Sequence, residues 1–282
     1  MPTNIIVIPI YNDWMSVNKL LFEINEILDS SYLCKILIIN DCSTQKIQIE
    51  NKKLDKIKEI KILSLNQNLG SQKSISIGLN YLKQLNENFY ITIMDGDGED
   101  SPLEIKKMLD EAKLNLDCIV TSHRKERNES FYIKFSYKLH LIISFVLTGH
   151  WISFGNFSSF NSSNLKKINL YDVWIAYSAG ILKNCKIKKL YASRQKRYFE
   201  NSKVNFIKLI EHSLRIISVF YKRTLISSLF LLLIMWAINS QFNLLLYAPI
   251  VFINLFVILI KTKHYIKSSV NLRSFIREIK TL

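Results

Sequence analysis

Asp95 and Asp97 flank Gly96 in the segment Met94-Asp95-Gly96-Asp97. Two carboxylates one residue apart can converge on a single divalent cation and on the phosphate oxygens that the cation binds. Hard oxygen donors suit Mg²⁺ or Mn²⁺, which keep several waters and take substrate phosphates as further ligands. Such a metal acts as a Lewis acid, neutralising charge that builds on a departing diphosphate. Alone, an Asp-x-Asp triplet is weak evidence, because surface turns like Asp95–Gly98 are common. Its setting gives it weight: it follows the apolar run Tyr90–Met94 and precedes Glu99-Asp100-Ser101-Pro102 and a helical pattern.

Two alternating textures over the first 120 residues would position this pair. Short β-branched runs occur at Ile5–Ile8, Ile36–Ile39, Ile60–Leu63, Tyr90–Met94 and Cys118–Thr121. Amphipathic stretches lie between them at Ser16–Leu28, Ser71–Leu85 and Pro102–Leu114. Strands separated by helices of that length predict βαβ units and a parallel sheet in an α/β fold. In such sheets ligands bind beyond the carboxyl ends of the strands. Polar segments stand at those ends: Pro9-Ile10-Tyr11-Asn12-Asp13, Asn40-Asp41-Cys42-Ser43, Asn66-Gln67-Asn68-Leu69-Gly70 and Asp95-Gly96-Asp97. One crevice can collect all four.

The last third reads differently. No Asp, Glu, Lys, Arg or His occurs between Arg223 and Lys261, and two apolar stretches, Leu225–Ile238 and Leu244–Ile260, flank a polar break. Each falls slightly short of the ~20 residues that cross a bilayer core, so flanking residues would extend the helices. Lys222, Arg223, Lys261 and Lys263 sit on the outer flanks and no basic residue sits in the break, which places both termini in the cytoplasm. A buried helix pair in a soluble core is the competing reading. Upstream, Ser130–Leu147 and Val204–Tyr221 are basic and amphipathic, fit either to lie in the headgroup plane or to pack on the sheet.

The 282 residues carry 49% hydrophobic side chains and 38 Lys and Arg against 23 Asp and Glu, a formal charge of +15. That surplus suits an anionic membrane face or a phosphorylated substrate. No nucleic-acid motif accompanies it, and the basic residues border apolar segments, so nucleic acid is not an expected partner. Cys34, Cys42, Cys118 and Cys185 lie far apart and read as reduced, mostly buried thiols facing the cytosol. The first residues lack the basic flank of a signal peptide.

The four polar strand ends, with Met94 through Pro102, resemble the ordered motifs of family 2 glycosyltransferases of the GT-A fold. Within that family the chain looks most like polyprenyl-phosphate glycosyltransferases, including the dolichol-phosphate mannose synthases. Ser122 through Arg127 resembles their arginine pair, Gly155-Asn156-Phe157 their Gly-Asp-Phe segment, and Arg197 through Lys203 their Arg-x-x-Gly-x-Ser-Lys element. The resemblance covers nearly the whole chain. It implies a catalytic domain over residues 1–203 (with 130–150 fit for an interfacial helix), a juxtamembrane helix over 204–223, two transmembrane helices over 224–260 and a basic cytoplasmic tail over 261–282.

The resemblance implies roles as well. Pro9, Tyr11, Asp13, Asp41 and Gly70 would hold the nucleotide sugar, with Asp95 and Asp97 on the metal and diphosphate. Asp97, Arg127 and Arg197 would be catalytic. Arg124, Arg127, Arg197 and Lys203 would face phosphates of donor or lipid acceptor, as guanidinium forks suit phosphate oxygens. Four residues depart from the pattern: Asn40 and Asn156 replace Asp, Glu99 replaces Gln, and Glu200 replaces Gly. The expected activity is inverting transfer to polyprenyl phosphate at the cytoplasmic face of the cell (inner) membrane. A saccharide hydroxyl acceptor, with Glu99, Asp100 or Asp172 as base, is the nearest alternative, and a catalytically weak scaffold of the same fold another. A chain with such a hairpin can also form homo-oligomers through its helices.

Overall fold

The computed structural model describes residues 3–28, 34–50, 54–85, 87–124, 131–193, 195–199, 206–238, 244–265 and 270–282. Its centre is a sheet built on β1 (Asn4–Ile10), β2 (Cys34–Asn40), β3 (Ile57–Leu65) and β4 (Tyr90–Ile93), with β1 pairing in parallel to β2 and β4, and β2 to β3. Every residue of β1 is buried. Successive side chains point to opposite faces, so Ile5 and Val7 join one core while Ile6, Ile8 and Ile10 join the other. Helices cover both faces, and the strands therefore read as continuous apolar runs without visible alternation. Among the helices, α1 (Trp14–Ile27) and α3 (Ile105–Leu114) cover the second core, and α2 (Ser71–Leu82) the first.

The sheet is larger than the sequence runs indicate. β5 (Cys118–Arg124) is followed by α4 (Phe131–Thr148) and by β6 (Phe154–Asn161), which inserts antiparallel between β4 and β5. Short helices α5 (Leu170–Ile175) and α6 (Tyr177–Asn184) lead to β7 (Lys186–Ala192), an outer strand parallel to β5. The order is β7-β5-β6-β4-β1-β2-β3, with one more strand beyond β3. That mostly parallel α/β sheet agrees with the GT-A architecture the resemblance implies.

The helices α7 (Phe206–Val219), α8 (Tyr221–Ile238) and α9 (Leu244–Lys263) pack together, and α4 joins α7 and α8. By length and composition α8 and α9 are long and apolar enough to cross a membrane, and each is only 11% buried over its most apolar window. Phe230, Leu233, Trp236, Val251, Phe252 and Leu255 are exposed along the pair. Leu139, Ile142, Phe145 and Val146 of α4 and Ile207, Leu209 and Ile210 of α7 extend this apolar exposure.

Two expectations need correction. The segment 261–282 is not a tail: Lys261–Lys263 completes α9, and the last residues form β8 (Ile276–Thr281), the antiparallel neighbour of β3. Leu272 is buried in the first core, Phe275 O accepts from Asn66 N at 3.0 Å, and the Phe275 ring lies 5.3 Å from that of Trp174. The catalytic domain is therefore discontinuous in sequence, not contained in residues 1–203. Leu272 and the ladder to β3 hold this return segment, since β8 itself is mostly exposed, with Ile276 and Glu278 its less exposed positions. The cysteines are all free, as expected, but only Cys34 is fully buried; the other three are half-buried.

Candidate active site

Asp95 and Asp97 follow β4 at the carboxyl edge of the sheet. Met94 N donates to Val7 O at 3.1 Å, which carries the segment alongside β1 before it turns. Gly96 permits that close passage, since a Cβ there would stand 3.1 Å from Ile8 Cγ2 and 3.3 Å from Val17 Cγ2. Gly98 adopts φ +84°, and a Cβ on it would overlap the Tyr198 ring. The backbone of residues 195–199 is laid across the turn: Gln195 N donates to Glu99 O and Tyr198 N to Asp97 O, both at 3.0 Å. Tyr198 is anchored beyond, its hydroxyl donating to Glu23 Oε2 at 2.6 Å and its ring 4.4 Å beneath Lys19 Nζ.

This strap delivers Arg197 to the acidic pair. Its Nη2 lies 2.9 Å from Asp97 Oδ2, and its Nε 3.6 Å from Glu99 Oε1. Asp97 Oδ1 accepts from Glu99 N at 3.0 Å. Burial and repulsion from Asp97 push the Asp95 carboxyl up to about 6, against the Asn156 amide and Arg197, which favour its ionised form. Burial likewise raises Asp97, opposed by Arg197. The donor set would fit Mg²⁺ or Mn²⁺: Asp95 and Asp97 offer adjacent hard oxygens whose mutual repulsion a cation would relieve. Among the described residues there is no group of three or more His, Cys, Asp or Glu that could hold a metal ion.

A chain of amides supports Asp95 from behind. Asn156 Nδ2 donates to Asp95 Oδ1 at 3.0 Å, Gln72 Nε2 donates to Asn156 Oδ1 at 3.1 Å, and Tyr177 N donates to Gln72 Oε1 at 2.6 Å. The direction of donation is fixed, and an ionised Asp at 156 could not supply the first bond. Asn40 is equally specific: its oxygen accepts from Ser43 N at 3.0 Å and its nitrogen donates to Ser64 Oγ at 3.4 Å. These two departures therefore have local structural causes. Glu99 has one too, facing Arg197.

The remaining strand ends line up beside the pair. Pro9 is buried within β1, opposite Ile39, and Tyr11 is exposed just past the strand. Asp13 caps α1, accepting from Ser16 N at 3.3 Å. Asp41 accepts from Leu69 N at 2.8 Å and from Gly70 N at 2.7 Å, tying β2 to the start of α2, where Gly70 takes φ +87°. Burial raises the Asp41 carboxyl, although both amides and Lys73 favour its charge. Asn12, in the left-handed region at φ 52°, joins the first two loops: its oxygen accepts from Thr44 N at 2.8 Å and its own N–H donates to Ser43 Oγ at 2.9 Å.

Arg197 is thus brought to Asp97. Arg124 ends β5, its side chain outside the described residues, and Arg127, Glu200 and Lys203 also lie outside them. The sequence reading missed Asn12, Gln72 and Tyr198. Gln72 had one signal, its place just after the Gly70 turn; nothing in sequence links it to Asn156, 84 positions away.

The profile of Glycosyl transferase family 2 matches residues 5–185, which span all of these strand ends. The chain belongs to this family. An uncharacterized glycosyltransferase of Bacillus subtilis (strain 168), YkcC, is 26% identical over 133 residues, covering 46% of this chain and 39% of its own length. A second, from Synechocystis, is 28% identical over 139 residues, covering 48% of this chain and 42% of its own length. The chain spans about two fifths of the length of these curated relatives. Mannosyl-3-phosphoglycerate synthase from Rubrobacter xylanophilus shares the fold, with a TM-score of 0.52 at 15% identity, covering 79% of this chain and 74% of its own. So does glucosyl-3-phosphoglycerate synthase from Mycobacterium tuberculosis in complex with Mn²⁺, UDP-glucose and phosphoglyceric acid, with a TM-score of 0.51 at 13% identity, covering 79% and 80%. This family 2 glycosyltransferase combines the shared sheet with the apolar helix pair α8–α9.

Proposed function

We propose that this glycosyltransferase moves one sugar from a nucleotide-diphosphate sugar to a polyprenyl phosphate at the cytoplasmic face of the cell membrane, inverting the anomeric carbon. The observation that carries the reading is the Asp95–Asp97 pair on a sheet that also bears two apolar helices with exposed faces. Mg²⁺ or Mn²⁺, when bound, would neutralise the leaving diphosphate. Asp95 and Asp97 hold it, and Asn156 keeps Asp95 oriented. Arg197, on the same carboxylate, offers its remaining guanidinium donors to phosphate oxygens. Pro9, Tyr11, Asp13, Asp41 and Gly70 form the wall on which nucleoside and ribose rest, and Arg124, Arg127 and Lys203 are the further phosphate contacts.

In the reaction a phosphate oxygen of the lipid forms a bond to the anomeric carbon as the bond from that carbon to the nucleoside diphosphate breaks. A phosphate monoester has a second pKa of about 6, so the nucleophile is already an anion at neutral pH and needs no base. That suits the site, because its carboxylates are otherwise engaged. Asp100 Oδ2 accepts from Asp95 N at 2.9 Å, Glu99 faces Arg197, and Asp172 pairs with Lys183 at 3.0 Å. A hydroxyl acceptor would require one of them as general base. Catalysis rests on positioning and on fixed charge.

The apolar helices α8 and α9 support membrane association. Strands of one sheet precede and follow the pair, which favours both ends on one side, and the basic residues at those ends favour the cytoplasmic side. The test is incubation of the purified full chain with labelled nucleotide sugars, Mn²⁺ and polyprenyl phosphate. A labelled glycolipid is expected; none with any common donor overturns the proposal.

A further inference from the structure

A second group of cations stands where the catalytic domain meets the helix pair, apart from the acidic pair. Arg215 of α7 donates from Nε to Ile175 O at 2.8 Å, and Lys73, in the first turn of α2, holds its Nζ 5.1 Å from the ring centroid of the adjacent Trp174. Two cations thus dock on consecutive residues at the end of α5. One turn before Arg215, Glu211 lies 3.8 Å from Lys263 Nζ and 3.6 Å from His264 Nε2, both at the end of α9. The group holds three cations, with Glu211 as the carboxylate placed among them and Asp41 on the far side of Lys73, already accepting from two backbone amides. His264 is 9% exposed, and neither ring nitrogen has a hydrogen-bond partner among the described residues. Glu211 is near Nε2 but beyond hydrogen-bond distance, so the ring has bonding capacity left for a ligand.

The charges repel one another and are partly desolvated. Burial and the neighbouring Arg215 lower the Lys73 ammonium, and burial lowers Arg215 despite Glu211. An anion placed among them would relieve both costs. Guanidinium and ammonium donors together suit a phosphate. The start of α2 adds its amide dipoles. The foot of α9 is where a phosphate on a membrane-borne chain would reach the protein.

We infer that the notch formed by Lys73, Arg215, Lys263 and His264 binds the phosphate of the lipid acceptor. The inference rests on the proposed function and extends it, since it seats the acceptor on the α2–α7–α9 side. Gln72, next to Lys73 on α2, bonds to Asn156, which bonds to Asp95, so one helix carries both Lys73 and a support of the acidic pair.

The test uses the full chain in phosphatidylcholine nanodiscs, with undecaprenyl phosphate, undecaprenol or inorganic phosphate as probe and UDP and GDP with Mn²⁺ as donor-side controls. The variants are Lys73→Gln, Arg215→Gln and the exposed Lys263→Gln, which leaves the fold undisturbed if Arg215→Gln does not. Loss of a charge-assisted contact is expected to weaken undecaprenyl phosphate by about tenfold or more in each, with nucleotide affinity kept. Undecaprenol should bind weakly to every form. If the wild type ignores undecaprenyl phosphate, the proposed function fails and the inference with it. Wild-type binding that all three variants retain overturns the inference alone. Equal loss of nucleotide affinity assigns the notch to the donor, and inorganic phosphate binding as tightly as the lipid makes it a soluble-anion site; both overturn it.

Discussion

Arg197 and Asp97 are held together at 2.9 Å by a strap whose backbone is itself bonded to the Asp97 and Glu99 carbonyls. The guanidinium therefore occupies an oxygen that a metal would also seek. Arg197 stabilises the acidic pair when no metal is bound and competes with the ion when one arrives. Arg197→Gln should tighten Mn²⁺ binding in the absence of donor by roughly 5- to 150-fold, the range of about 1–3 kcal/mol for a charged contact, while lowering turnover. Calorimetric titration with Mn²⁺ checks the first part. Weaker Mn²⁺ binding would show that the arginine organises the site for the metal instead.

Asn156→Asp replaces the donor to Asp95 with a third carboxylate. The metal-free protein should lose about 1–3 kcal/mol of stability from the broken bond and the added repulsion, read as a lower midpoint of thermal unfolding. Turnover should not rise, because an ionised phosphate gains nothing from a base. A faster variant would point to a hydroxyl acceptor.

His123 is enclosed in β5, hydrogen-bonded to Thr121 Oγ1 and Ser153 Oγ, both at 3.1 Å. Burial, and secondarily Lys189, lower it from 6.5 to about 4. Between those values the unfolded chain takes up a proton that the folded chain does not, so stability is retained above pH 6.5 and falls as the pH drops. The loss at pH 4 is on the order of 3 kcal/mol. His123→Gln should flatten this part of the pH–stability curve, measured by denaturant titration; an unchanged slope would exclude His123 as its source.

Leu272→Ala should cost about 2–5 kcal/mol, as for other buried leucines. It should also weaken nucleotide binding, because the return segment braces the loop at Asn66 and the start of α2 lies beyond it. Thermal unfolding with and without nucleotide separates the two effects. A variant as stable as the wild type would mean that β8 contributes little to the domain.

The four strand ends were legible because each parallel strand carries a run rich in β-branched residues, interrupted in β3 by Lys61, and each is followed by polar residues. β6 was not: Phe154–Asn161 holds Gly155, Asn156, Ser158 and Ser159 and so lacks the apolar run that marks a buried strand. Its polar side chains are buried only because partners distant in sequence satisfy them, Tyr177 Oη for Ser158 at 2.6 Å and Thr92 Oγ1 for Ser159 at 3.2 Å. β7 and β8 carry the charges of outer strands, which local pattern does not separate from a solvated tail. In the site, the Asp95–Asp97 pair followed from spacing. Of its supports, Asn156 stood out by its motif, whereas Gln72 and Tyr198 became visible only when the fold brought them across tens of residues.

The return of the chain from α9 into β8 has a consequence for how the enzyme finds its acceptor. A domain on one leash tumbles and swings. Two attachments, one through α7 into α8 and one from α9 into β8, restrict that rotation. On the proposed membrane placement, the crevice would keep one face toward the lipid surface, and the search for a membrane-borne partner would become two-dimensional. Local concentration then substitutes for tight binding.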